Sequence, residues 1–543
     1  MSEVMKQPTV VGTPEIKIKG TGLASYTPAA LALVGAVLMA LLRYQMGGAR
    51  FISDGALMML ALAAYLTAAV FFLTNLYAPS NLFQKIGLWA ATLGVFFNGA
   101  SWAVRWIAAH DRELEIITRQ GGEMPWFFRY IPFANLYDLS LAFTFGAGIT
   151  TLFIAHRPSF RFLGAISLPL ASLILILARF IGNEFINLPP VLDSYWRPIH
   201  VGIASLSYGI ALVCFAVAVV YLLKDGVKTE AMAIWSSLFA LAVIATVSRF
   251  SVFWPSTLGS YSASTFLPPR MPLPLRADIP YVGWFLVLAG LLLVGVMIAF
   301  GRYLSKEDES ARRLGHHLLK ASLVVQAVAI ALLVWQVKTI QNVAVCTDAR
   351  PDSTACINTR QYQKFGAWIA QQQGMRPEQI ALIPEERLER EAANVVKENQ
   401  SKLFLSLNAN PVELAALITG FTATLFVILF SFRTEKLRAA LPDKEKIDSL
   451  MYKTAGVTFA GLALLLMTGA IWANESWGRY WGWDSKETGA FVAWLTYGAF
   501  LHVRISRGWT GRAAAYFAVV AFLLVIFTYL GVSYLLPGLH SYA

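Results

Sequence analysis

Histidine and tryptophan supply the chemistry that stands out in this chain. From Trp477 to Glu487 it reads Trp-Gly-Arg-Tyr-Trp-Gly-Trp-Asp-Ser-Lys-Glu, with three Trp and one Tyr within seven residues. Aromatic side chains at helix ends ordinarily anchor a protein at the membrane interface. Arg479, Asp484, Lys486 and Glu487 share this stretch, and an anchor does not require them. His502 follows inside the next apolar segment, and His540 lies near the end of the sequence. Indole faces beside imidazoles suit a large flat molecule in need of axial ligands, and haem fits that description.

The elements that must position these groups are membrane helices. Hydrophobic residues make up 57% of the 543 and charged residues only 14%, against about 25% charged in soluble domains. Apolar runs at 27–44, 56–77, 84–106, 135–155, 162–182, 201–223, 231–253, 280–301, 317–337, 409–431, 452–473, 488–506 and 513–535 are each near the ~20 residues needed to cross a bilayer. The expectation is an all-α polytopic membrane protein of about thirteen transmembrane helices, with a small extracytoplasmic α-rich insert. The net charge of +12 follows from basic cytoplasmic loops and does not imply nucleic acid.

The short basic loops 302–313, 433–446 and 504–512 place themselves on one, cytoplasmic, side. Alternation then puts 106–134, His200, 477–487 and the last residues on the other side. Residues 1–26, with Lys6, Lys17 and Lys19, read as a cytoplasmic tail and not as a cleavable signal. Segment 338–408 reads as an extracytoplasmic insert, helical over Gln361–Gln373 and Pro384–Gln400. Cys346 and Cys356, ten apart on an oxidising side, favour a structural disulfide, with a redox or haem-related thiol pair as the alternative. Cys214 lies in an apolar span and reads as a small buried side chain. No dinucleotide fingerprint or P-loop is present.

The tryptophan stretch, with Leu501-His502-Val503-Arg504 after it, resembles the WWD signature of the haem-handling proteins of cytochrome c maturation, on the CcsA (ResC) branch of System II. Further segments extend the resemblance: Pro132-Phe133-Ala134-Asn135-Leu136-Tyr137-Asp138, Trp196-Arg197-Pro198-Ile199-His200-Val201 with Ser207-Tyr208, Ile447-Asp448 to Tyr452, and Gly538-Leu539-His540-Ser541-Tyr542. Ser485 stands where relatives commonly have Pro, and Asp138 where they have Glu. The resemblance covers roughly 50–225 and 447–543; the haem-handling domain is accordingly read as 27–225 with 447–543, and 226–446 as inserted helices that include segment 338–408.

The resemblance implies haem b as cargo, delivered and covalently attached to an apocytochrome c bearing Cys-x-x-Cys-His, by a component of a holocytochrome c synthase. It implies a CcsB (ResB) membrane partner and a bacterial inner membrane or a thylakoid. His200 and His540 are then the axial pair of an external site. His502 is an inner ligand, about 22 Å along its helix from Glu487, with His317 or His316 as a candidate partner in the same chain and His156 a weaker one. Trp477, Arg479, Tyr480, Trp481, Trp483, Asp484 and Lys486 are the expected cofactor contacts. Arg479 and Lys486 are chosen for the propionates over Arg105, Arg129 and Arg197 because they lie within the loop. Asp484 is expected to orient the loop or a ligand and not to contact iron, since a carboxylate is a poor haem-iron ligand beside imidazole. Two other readings stay open: a haem exporter without ligation, and a transporter whose tryptophan loop is structural. The latter lacks paired charges along a path, since Arg43, Arg179 and Arg249 fall near helix ends.

Overall fold

The computed structural model describes residues 23–532 apart from 49, 124–125, 184, 186–189, 249–260, 269–270, 341, 346–353, 358 and 406–410. Each of the thirteen apolar runs holds a helix: α1 Thr27–Met46, α2 Asp54–Tyr77, α3 Asn81–Gln120, α4 Leu136–Ala155, α5 Gly164–Ile181, α6 Trp196–Lys224, α7 Thr229–Ser248, α8 Val282–Lys306, α9 Glu309–Thr339, α13 Pro411–Ser431, α15 Lys444–Trp477, α16 Ser485–Arg507 and α17 Arg512–Ile526. Shorter helices are α10 Tyr362–Gln372, α11 Pro377–Ile380, α12 Glu385–Asn399 and α14 Thr434–Ala440. Ten of the described helices are long and apolar enough to cross a membrane. The chain is an α-helical polytopic membrane protein. Its outward apolar residues, such as Leu31, Val34, Leu38 and Leu41 on α1, suit a hydrocarbon solvent.

The helices form two packed groups. One core joins α2 to α6 with α15 to α17. The other joins α7, α8, α9 and α13, and α13 also packs on α5. In the first group, Arg105 of α3 is only 1% exposed. It pairs with Asp138 at the start of α4, with Asp54 at the start of α2 (3.3 Å) and with the Asn183 carbonyl (2.8 Å). Opposite charges withdrawn from water are retained only when paired in this way. The cluster ties three helix ends at the membrane face that carries the tryptophan loop.

The insert holds α10 and α12 at the expected places, and it also holds a sheet that the sequence did not reveal. Its strands are β1 Tyr261–Leu267, β2 Met271–Ile279, β3 Asn342–Val345, β4 Thr354–Ile357 and β5 Phe404–Leu405, in the order β3-β4-β2-β1-β5. The α7–α8 connection therefore joins the α9–α13 connection in one unit. β2 contains Pro272 and Pro274, which argue against a central strand because proline cannot donate to a ladder. β2 pairs with β4 only at Ala277 and Asp278, so its proline-bearing half has no strand partner on that side among the described residues. Cys346 lies outside the described residues.

Candidate functional site

The tryptophan loop is built by local capping. α15 ends at Gly478, whose φ of +69° closes the helix in the left-handed region. Asp484 caps α16: its side chain accepts from the Lys486 N–H (3.1 Å), and the Glu487 carboxylate reaches back to the N–H groups of Asp484 (3.1 Å) and Gly482 (2.8 Å). This reciprocal capping box spans Ser485, the first residue of α16. The loop carries strain, because Trp483 has a φ of +56°, which costs a residue with a Cβ roughly 1–2 kcal/mol.

A cleft lies under the loop between α6, α15 and the start of α16. Its walls include Trp472, Trp477, Tyr480 and Trp481, with His200 from α6. The back is closed by Tyr208 and by Thr528 and Tyr529, which sit in a π-helical turn, Phe527–Gly531, that continues α17. Such turns are frequent at functional sites. Tyr529 Oη is 2.6 Å from Ser140 Oγ, which fixes the ring against α4. The enclosed part of the cleft is about 140 Å³, and the empty space out to its open mouth is about 1140 Å³. Enclosed ligand pockets run to roughly 300–1,000 Å³, so a flat ligand would enter edge-on with its outer edge in the mouth.

His200 is held in one tautomer. Its Nδ1 lies 3.0 Å from the Leu465 carbonyl of α15. A carbonyl only accepts, so Nδ1 carries the proton and a neutral ring keeps its lone pair on Nε2. This is how metal-ligating histidines are commonly oriented. The ring can lie this close to α15 because residue 469 is glycine: a Cβ there would be 2.7 Å from His200 Cε1. Eight residues back, a Cβ on Gly461 would lie 2.3 Å from Ser207 Oγ. His200 and Ser207 are two turns apart on α6, so the two glycines form a narrow antiparallel seam for α6. Trp472, one turn beyond Gly469, has its ring 5.7 Å from the imidazole, and its buried Nε1–H has no partner among the described residues. Gly469 and Trp472 were hidden in the sequence because they lie within an apolar span, although they lie three apart on one helix face.

The basic residues are placed differently from the expectation based on closeness in sequence. Lys486 lines the cleft, and burial pushes its ammonium down to about 8, against the pull of Asp484. It stands two residues ahead of the apolar span 488–506. Arg197 also lines the cleft, at 6% exposed, with its guanidinium donating to the Arg129 carbonyl. Arg129 in turn pairs with Asp193 at 3.1 Å. Arg479 is exposed and folds over Gly482, where a Cβ would be 2.4 Å from its Cζ. Arg479, Trp483 and Asp484 are not among the cleft-lining residues. Trp483, 69% exposed, stands edge-on to Trp481 at 5.6 Å.

His540 lies outside the described residues. His502 is exposed on α16, beside a clamp in which Arg504 holds Asp448 at the start of α15 (3.0 Å) and Tyr452 lies 5.0 Å from the guanidinium. Two of the segments singled out in the sequence, 447–452 and 501–504, are thus partners. His316 is 3.2 Å from Glu230, against Phe300, and His317 is exposed. Both stand on α9, which packs on α8 and α13, whereas α16 packs on α15 and α17. Among the described residues no group of three or more His, Cys, Asp or Glu could hold a metal ion.

Residues 133–268 and 409–540 match the family described as cytochrome C assembly protein. The chain is 46% identical over 142 residues to cytochrome c biogenesis protein CcsA of Prochlorococcus marinus strain MIT 9515, covering 26% of this chain and 45% of that protein. It is 54% identical over 98 residues to CcsA of Prochlorococcus marinus strain MIT 9312, covering 18% and 32%. It is 51% identical over 102 residues to CcsA of Synechococcus sp. strain CC9605, covering 19% and 34%. The chain thus spans less than half the length of these curated relatives. The matched segments supply α4, α6, α15, α16 and the tryptophan loop, every wall of the cleft, and the matches over them support a CcsA-type cytochrome c biogenesis protein.

Proposed function

We propose that the chain takes part in cytochrome c biogenesis by holding haem, as cargo, at the tryptophan cleft for covalent attachment to an apocytochrome c on the extracytoplasmic side. The observation that carries this is the single tautomer of His200, held by the Leu465 carbonyl inside an aromatic cleft. An imidazole so fixed offers Nε2 to iron. Trp477, Tyr480 and Trp481 offer faces to the ring, and Lys486 and Arg197 offer cations to the propionates. The second axial ligand is His540. The last described turn of α17 lines the cleft, and His540, eight residues after Val532, is tethered within about 29 Å of it.

Attachment is an addition. Each substrate thiol adds its sulfur to one carbon of a haem vinyl and its hydrogen to the other, with no net change of oxidation level. The thiols belong to the apocytochrome, so the chain needs no reactive cysteine, and buried Cys214 plays no part. The contribution of this chain is to hold and orient the ring with its vinyl edge in the cleft mouth. His502, exposed on an apolar helix, suits a ligand contributed jointly with a CcsB-type membrane partner. The membrane is a bacterial inner membrane or a thylakoid.

The test is an absorption spectrum of the detergent-purified protein supplied with haem, beside His200→Ala and His540→Ala chains. Bis-imidazole bands that weaken in each variant support the reading. The absence of a Soret band in the parent chain overturns it. Attachment itself is read by thioether formation on an added reduced apocytochrome.

A further inference from the structure

A second cavity, of about 860 Å³, opens at the end of the same helices opposite the tryptophan loop. Its floor is apolar, with Ile149 and Phe153 from α4, Ile210 from α6, and Leu450 and Val457 from α15. Its rim is cationic, with Arg157 just past α4 and Lys446 and Lys453 in the first turns of α15. Lys446 is taken up by Asp443 at 2.8 Å. Arg157 and Lys453 are exposed and have no ion-pair partner among the described residues. Glu445 is the one carboxylate on the lining. From Lys453 to Trp477 α15 rises about 36 Å, more than the ~30 Å hydrocarbon thickness, so the two openings lie at opposite membrane surfaces. They do not join. Between them α4 and α6 cross in backbone contact, where a Cβ on Gly209 would lie 2.5 Å from the Gly146 carbonyl carbon.

We propose that this cavity binds an anionic amphiphile, with its apolar body on the floor and a carboxylate or phosphate group between Arg157 and Lys453. Cations that only mark a membrane face need no cavity beside them. Here an apolar chamber of ligand size sits directly under two uncompensated charges at the membrane surface. Two molecules share this chemistry. One is an anionic phospholipid of the adjoining leaflet. The other is haem, for which His156 on the same rim is a ligand: its Nδ1–H donates to the Phe153 carbonyl, so its lone pair is on Nε2. The haem source rests on the function proposed above; the phospholipid source does not.

The full chain, carrying a bimane fluorophore at Ser449→Cys on the cavity lining, is placed in nanodiscs, with the identically treated parent chain as blank. Brominated phosphatidylglycerol, brominated phosphatidylcholine and haem are tested separately as quenchers. Saturable quenching by phosphatidylglycerol but not phosphatidylcholine identifies the lipid; saturable quenching by haem, abolished in a His156→Ala chain, identifies haem. In either case Arg157→Gln/Lys453→Gln raises the half-saturation point by roughly tenfold or more, and both positions are exposed, so the fold is kept. Quenching by phosphatidylcholine equal to that by phosphatidylglycerol with none by haem, or a half-saturation point unmoved in the double variant, overturns the proposal. A His200→Ala chain with no Soret band that still shows phosphatidylglycerol quenching separates this cavity from the fate of the tryptophan cleft.

Discussion

Gly469→Ala isolates the positioning of His200 from everything else in the cleft. An added Cβ would sit 2.7 Å from His200 Cε1 and 3.0 Å from Nδ1. Ordinary contact begins at 3.4 Å, so the ring must retreat by about 0.7 Å. The Nδ1–Leu465 separation of 3.0 Å then approaches 3.7 Å, beyond hydrogen-bond range. That costs about 1 kcal/mol. Replacing glycine by alanine inside a helix returns about 1 kcal/mol. The two nearly cancel, so the melting temperature should move little. Haem affinity should not be spared, because losing the group that orients a ligating histidine costs roughly 10–100-fold. The assay is an optical haem titration with a melting curve on the same preparation. Gly456→Ala, where nothing lies within 4 Å, controls for helix propensity. Gly461→Ala, which meets Ser207, controls for spreading of the α6–α15 seam. Unchanged haem affinity in Gly469→Ala would refute the assignment of His200, held by Leu465, as the ligand. An equal loss in Gly461→Ala would refute the argument from local contact.

Three further outcomes follow from named contacts. Lys486 is charged below about 8, and an anionic partner favours that charged form; haem affinity should fall as pH rises through 8, and a Lys486→Met chain should bind more weakly with a flat profile in the same titration. Glu487→Ala removes the acceptor for the Gly482 and Asp484 N–H groups, which should cost about 1–2 kcal/mol and make the loop faster to cleave by protease; an unchanged cleavage rate counts against capping as the support of the loop. Arg504→Gln leaves Asp448 without its part-buried partner, a loss of roughly 3 kcal/mol that thermal unfolding should register and that Asp448→Asn in the same chain should partly restore.

Local patterns were readable without coordinates. Thirteen apolar runs of about twenty residues hold thirteen helices, ten of them long and apolar enough to cross a membrane among the described residues, because a backbone in hydrocarbon must satisfy its own hydrogen bonds. The turn from α15 into α16 is local as well: Asp484 with Glu487 three residues on is a capping signal carried within one turn. What depended on distant pairing was not readable. The five-stranded sheet joins segments separated by whole helices, and the prolines in β2 argued against it. Arg105 and Asp138 meet across 33 residues. Arg197 of α6 reaches the cleft wall while Arg479, within the tryptophan loop, does not, because sequence proximity to a tryptophan does not say which way a side chain turns. Gly469 looks like any glycine in an apolar helix until α6 is laid against it. The residues able to bind were set by the sequence, but the tautomer of His200 depends on the Leu465 carbonyl, 265 positions away, and only the packing of α6 on α15 brings them together.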